Sequence, residues 1–354
     1  MERIRRFAGN LIPTADSLTD GGSVTPAFLE NWASLADSGP LYQHLCRLIA
    51  ADAELLELVN SIEHKPEPNI LFAAVQYLLM GDPGHPLAAY FSSITPGPPP
   101  DHPVDDLFRE FALTHRAQIE AMGRTRYTQT NEVRRCVALL PLAMSSGFGQ
   151  FHLVDLGTSA GLNLGMDRYR YRWNELTWGG PSPITLTTES RGVDPVLTEI
   201  EVLRRIGLDL NPLDPKDPDA RRWLDALIWP EQSDRRSRLR AALEAIETMD
   251  LELVPGDAVQ TLPSVLAGLP AGEPVVLMNS YALMQLEYED RDRIAEIVAD
   301  GRRARPIFRV SIEVTIAEER GIGLEVDDGS GFRTVGRTHP HGEWIELFDS
   351  YARP

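Results

Sequence analysis

The run Phe151-His152-Leu153-Val154-Asp155-Leu156-Gly157-Thr158-Ser159-Ala160-Gly161-Leu162-Asn163 constrains the fold more than any other part of the chain. A short apolar run reads as a buried strand, and the glycines after it break the strand and turn the backbone. A helix is expected to follow. Downstream, short apolar runs alternate with helical stretches, the pattern of a mostly parallel sheet with crossover helices. The expected strands are 151–156, 184–188, 251–254, 275–278 and 307–312, with 331–336 and 344–348 as a closing hairpin. Helices are expected over 220–227 and 234–248. These elements make residues 148–354 a Rossmann-like α/β domain.

Upstream of Phe151 no β-rich segment is evident. Leu45, Leu48, Ile49, Leu55, Leu56 and Val59 recur at helical spacing, and further helices are expected over 69–80, over 104–122 and from Thr130. The reading is an all-α N-terminal domain, 1–147, acting as a lid on the α/β domain. Thr95-Pro96-Gly97-Pro98-Pro99-Pro100 is a stiff connector, because proline removes donors and blocks a helix. His115 falls on an apolar helical stripe and is expected to be packed against a local partner.

Bulk properties exclude several classes. A formal charge of −18 is wrong for a nucleic-acid partner, which needs a basic footprint. The one basic run, Arg235-Arg236-Ser237-Arg238-Leu239-Arg240, is expected to be a solvated helix face. No apolar run approaches the ~20 residues of a membrane span. The basic Met1–Phe7 segment lacks the apolar core of a signal peptide, so a cytoplasmic protein is expected. Cys46 and Cys136 sit in apolar helical patterns and read as buried small hydrophobes, and no Cys/His cluster has metal spacing.

In a doubly wound sheet, ligands bind beyond the carboxyl ends of the strands. The loop after the first strand fails the G-x-G-x-x-G dinucleotide pattern and the phosphate-binding P-loop pattern. It fits better the S-adenosylmethionine loop of class I methyltransferases, an acid followed by spaced glycines, with Ser159 in place of the middle glycine. The expected cofactor contacts are Asp155, Gly157, Thr158, Ser159, Gly161 and Asn163. Glu189, read as ending the second strand, is expected to hold the ribose. Asp257 and Ala258 after the third strand would receive the adenine, and Asn279 and Ser280 end the fourth.

Tyr281 and His339 are the catalytic candidates, and Asn131, Arg168 and Tyr169 the substrate-binding ones. Arg168 and Tyr169 open an Arg/aromatic run that suits an anionic or planar small molecule. Two other readings compete. Gly157-Thr158-Ser159-Ala160-Gly161 also spells the G-x-S-x-G elbow of serine hydrolases, with Asp257 or Asp292 as the acid and His339 or His341 as the base. A non-catalytic ligand sensor of the same fold is the third.

Several strings are distinctive together: Gln129-Thr130-Asn131-Glu132-Val133, Gly157 to Leu164, Asp167-Arg168-Tyr169-Arg170-Tyr171, Asn211-Pro212-Leu213-Asp214, Trp229-Pro230-Glu231 and Gly256-Asp257-Ala258. Through them the chain resembles the bacterial DUF2332 family. The resemblance implies a Rossmann-like, methyltransferase-like core, and carries no catalytic residue with it.

Overall fold

The computed structural model describes residues 23–34, 39–62, 68–314 and 322–351. The basic segment 1–7 lies outside them. The chain divides into two compact units, residues 1–130 with 218–237, and residues 131–217 with 238–354. The expected boundary at 147 therefore moves to 130, and a segment expected in the α/β domain joins the helices.

In the first unit, α1 (Pro26–Ala33), α2 (Pro40–Ala51), α3 (Ala53–Asn60) and α4 (Pro68–Gly81) are followed by α5 (Asp105–Thr114) and α6 (Arg116–Thr125). The long helix expected over 104–122 is two, interrupted at His115. That imidazole stacks on Phe111 at 4.1 Å and pairs through Nδ1 with the Phe111 carbonyl at 2.9 Å. Trp32, Tyr42, Phe72 and Trp229 pack as an aromatic core. The 218–237 segment belongs here because α8 (Pro218–Ala226) packs on α4, where Gln76 Nε2 donates to the carbonyls of Ala226 (2.6 Å) and Ile228 (2.8 Å). Arg236 is buried, donating to the carbonyls of Asp225 and Ile228 and ion-paired with the Asp225 carboxylate. The basic run is thus not a plain solvated face. A buried guanidinium persists where carbonyls and a carboxylate satisfy its donors.

The second unit opens with a short 3-10 turn and α7 (Cys136–Met144), every residue of which is buried. A helix apolar all round must be enclosed. Among the described residues the sheet has eleven strands. They are β1 (Gln150–Leu156), β2 (Arg170–Trp173), β3 (Leu176–Trp178), β4 (Thr185–Gly192), β5 (Glu201–Asp209), β6 (Glu252–Pro255), β7 (Val275–Ser280), β8 (Ile307–Glu313), β9 (Ile322–Asp327), β10 (Arg333–Thr338) and β11 (Trp344–Leu347). The spatial order is β3-β2-β4-β11-β10-β9-β8-β7-β1-β5-β6.

From β6 to β8 every pairing is parallel. β8 to β11 form an antiparallel meander, and β11 then pairs in parallel with β4. α9 spans Ser233–Ile246, and on one face of the sheet α10 (Ala258–Ala267) and α11 (Tyr288–Gly301) bury Leu262, Leu266, Ile294 and Val298 against Val154, Leu156, Ile206, Leu208 and Leu277. α7 packs against β8 and β4, and Trp173 Nε1 on β2 donates to the Val137 carbonyl at 2.8 Å. Asp167, just before β2, reaches Arg205 on β5 at 2.7 Å, although β2 and β5 are far apart in strand order. The sheet therefore curls around α7.

Two strand assignments change the expected site. The strand after β1 in the parallel run is β5, not 184–188. β4 runs opposite to β1 and is six places from it in the sheet. The helix expected after the β1 loop is a short 3-10 turn, Leu162–Arg168.

Candidate functional site

The parallel run places β1 in its middle. The chain steps outward through β5 to β6, then returns to β7 and β8 on the other side. The strand order reverses between β1 and β7, and the carboxyl ends at such a point flank a ligand crevice.

At the end of β1, Gly157 (φ 75°) and Gly161 (φ 74°) take left-handed backbone that favours glycine. A Cβ on Gly157 would stand 2.6 Å from the Ala282 Cβ, so the loop packs directly on the segment after β7. Ser159 (φ 53°) and Tyr281 (φ 59°) are also left-handed, and neither is glycine. Strained backbone of this kind is held only where the surroundings over-determine it, commonly at ligand sites. The N–H groups of Gly157 and Thr158 donate to the Leu208 carbonyl, Ser159 N–H to Asp209 Oδ2 (2.8 Å) and Gly161 N–H to the Thr158 carbonyl (2.9 Å). These donors serve the protein itself.

Asp155 is 1% exposed. Burial pushes its carboxyl up to about 8; the nearby Thr158 hydroxyl lowers it somewhat and the Asp209 charge raises it further. Neither Asp155 Oδ2 nor Thr158 Oγ1 makes a hydrogen bond of good geometry. Asn131 Nδ2 donates to Ser159 Oγ at 2.9 Å, so an expected substrate residue does stand on the β1 loop. An amide is no general base, and this contact does not activate Ser159 as a nucleophile. Asn163 Oδ1 accepts from the Cys136 thiol at 3.4 Å, and both cysteines are buried thiols.

Asp209 ends β5, and sequence reasoning missed it. Its two oxygens accept from Ser159 N–H and Asn211 N–H, each at 2.8 Å. Asp257 stands after β6 as the N-cap of α10, where Oδ1 accepts from Val259 N–H (2.7 Å) and Gln260 N–H (3.3 Å), with Ala258 beside it. Glu189 lies apart from this group, exposed on β4 and ion-paired with Arg191 on its own strand. Arg168 and Tyr169 are also elsewhere. The Tyr169 hydroxyl is buried and donates to the Leu162 carbonyl (2.6 Å), while Arg168 lies near the amino-terminal half of β5.

At the end of β7, Asn279 Nδ2 donates to Ser311 Oγ (2.9 Å) and Glu313 Oε1 (2.8 Å). Glu313 also accepts from the N–H groups of Ala282, Leu283 and Met284, which fixes the loop carrying Tyr281. Burial raises the Glu313 carboxyl above its ordinary value, against those hydrogen bonds. The Arg135 guanidinium lies 4.1 Å from the Tyr281 ring centroid and donates to Ser280 Oγ (3.4 Å) and to the Pro340 carbonyl (3.3 Å). It ties the end of β7 to the loop of His339. The Tyr281 hydroxyl is buried without a hydrogen-bond partner, and burial raises its pKa well above the usual phenol value. His339 Nδ1 accepts from His341 N–H at 3.2 Å. In a neutral imidazole that puts the proton on Nε2, making His339 a donor.

The class these features define is a mixed α/β protein, N-terminal helices followed by a mostly parallel sheet interleaved with helices. Residues 28–347 match the family described as an uncharacterized protein conserved in bacteria, DUF2332, and the chain belongs to that family. No curated protein and no solved structure matches it. No described helix is long and apolar enough to cross a membrane, and no group of described His, Cys, Asp or Glu residues could hold a metal ion.

Proposed function

We propose that the protein binds S-adenosylmethionine at the carboxyl ends of β6, β5, β1 and β7 and transfers its methyl group to a small molecule. The observation that carries this reading is the ordered set of polar groups at those four strand ends. They are Asp257, Asp209, the Asp155–Gly161 loop and Asn279–Tyr281. The run β6-β5-β1-β7-β8 also has the 3-2-1-4-5 order of Rossmann-like sheets.

The residues fit the cofactor. A carboxylate offers about four lone-pair sites. Asp209 uses one on each oxygen for backbone, which leaves room for a ribose diol. Asp257 accepts its backbone bonds on Oδ1, leaving Oδ2 for the adenine amino group. Asp155 Oδ2, Thr158 Oγ1 and the Tyr281 hydroxyl are buried polar atoms that otherwise go unsatisfied. The N–H groups of Gly157, Thr158, Ser159 and Gly161 are already spent, which suits the phosphate-free methionine part better than a phosphate.

The bound cofactor supplies an electrophilic methyl group on a sulfonium sulfur. The chain's own task is to align an acceptor, since methyl transfer to a good nucleophile runs largely on proximity. Tyr281, a phenol at neutral pH, and His339, protonated on Nε2, act as hydrogen-bond donors that orient the acceptor. Asn131 lines the same side through Ser159.

Calorimetric titration with S-adenosylmethionine tests the reading. Saturable micromolar binding is expected, about tenfold weaker or more in Asp209→Ala, as loss of a well-made polar contact predicts, and unchanged in Glu189→Ala. No heat from folded wild-type protein would sink it.

A further inference from the structure

A cavity of about 510 Å³ lies beside the amino-terminal half of β5, away from the strand ends discussed above. It is lined by Asp167, Arg168, Trp178, Gly180, Glu201 and Arg205, with Glu199 at the same wall. Ligand sites commonly run from ~300 to ~1,000 Å³ with a few convergent polar groups.

The charges around it are incompletely used. Arg205, 7% exposed, gives Nη2 to Asp167 Oδ2 at 2.7 Å, yet its Nη1 has no partner. Asp167 Oδ1 is likewise buried and unpaired. A buried pair is normally retained with its remaining donors and acceptors satisfied. Arg168 touches Asp167 only at 3.5 Å and is otherwise open to solvent. Among the described residues, no ion pair engages the carboxylates of Glu199 and Glu201. The pocket thus presents the open Arg168 guanidinium, with the buried Arg205 behind it, and free carboxylates, with the Trp178 indole as its aromatic wall.

We propose that this cavity is a second ligand site for a small zwitterion bearing both a carboxylate and an ammonium group, a free α-amino acid. Its carboxylate meets Arg168, backed by Arg205. Its ammonium meets Glu199 and Glu201, and its side chain lies along Trp178. A purely anionic ligand would face the acidic wall, and a purely cationic one the two arginines. Only a ligand with both signs complements both.

The test is a thermal-shift screen of the twenty free amino acids at about 10 mM, followed by calorimetry on any hit. Arg168→Gln removes an exposed charge. Gly180→Leu fills the cavity, because a Cβ at Gly180 meets nothing within 4 Å. Saturable binding is expected, weakened about tenfold or more by Arg168→Gln, abolished by Gly180→Leu, and lost when the hit's carboxylate is replaced by an amide. S-adenosylmethionine binding should be the same in both variants as in wild type, which separates this site from the first. The proposal is overturned if no amino acid binds the folded wild-type chain, if the hit binds Gly180→Leu undiminished, or if its amide binds equally well.

Discussion

Replacing Asp155 by Asn converts the buried carboxyl at the end of β1 into a group that cannot ionise. Burial holds this carboxyl at about 8, against an ordinary value of 3.8. Between those values the native protein keeps a proton that the unfolded chain has released. Stability therefore falls as pH rises, by about 1.4 kcal/mol per unit for one proton. The contribution is complete below about pH 4 and is lost as pH passes about 8. From about pH 5 to about pH 9 the wild type should lose roughly 4 kcal/mol relative to Asp155→Asn. Changed hydrogen bonding in the variant adds an offset, which does not vary with pH. Urea unfolding followed by circular dichroism, on the same transition for both proteins across that range, gives the difference directly. Parallel pH profiles, within about 1 kcal/mol, would mean that the carboxyl is ionised in the native state and that the desolvation reasoning fails.

Three further changes probe the scaffold. Arg236→Met removes an ion-pair partner of the Asp225 carboxylate, and breaking a buried pair should cost about 3–5 kcal/mol in urea unfolding. The double variant Arg236→Met/Asp225→Leu should recover much of that. Gly207→Ala drives a Cβ into the Thr158 side chain, an overpacking cost of about 1–3 kcal/mol. Adding Thr158→Ala removes the Cγ2 and Oγ1 contacts while keeping the Cβ, so it should relieve part of that cost, and simple additivity in the double-mutant cycle would refute the clash. Glu313→Ala strips an acceptor from three backbone N–H groups and Asn279, for an expected loss of about 3 kcal/mol or more. A loss under about 1 kcal/mol would show that water replaces it.

The β1 loop could be read from the chain because its causes are local: an apolar run, then glycines where the backbone must turn left-handed. The strands at 252–255, 275–280 and 307–313 declared themselves in the same way. β5 did not. Arg204, Arg205 and Gly207 interrupt its pattern, and Arg205 can lie inside only because Asp167, far off in sequence, reaches it. With β5 hidden, the ribose-holding role fell to Glu189, the acid of the next strand-like run. The excursion through β2, β3 and β4 separates that run from β1. β2 carries a readable signal, although its Arg/aromatic run also suits a ligand contact. Its exposed Arg170 and Arg172 alternate with buried Tyr171 and Trp173, the period of a half-buried strand. The 218–237 segment joins the helical unit through contacts such as Gln76 to Ile228, which no periodicity encodes.

The pairing of β11 with β4 has a consequence for how the chain is made. β11 joins the β4-β2-β3 end of the sheet to the rest, yet it lies about 150 residues downstream of β4. At ribosomal rates of ~5–20 residues per second, β4 waits roughly eight to thirty seconds for its neighbour. Throughout that interval it is an unpaired edge, able to accept any passing strand. Premature termination between Gly192 and Trp344 would make that interval permanent, so such truncated chains should be held by chaperones or aggregate rather than accumulate as soluble fragments.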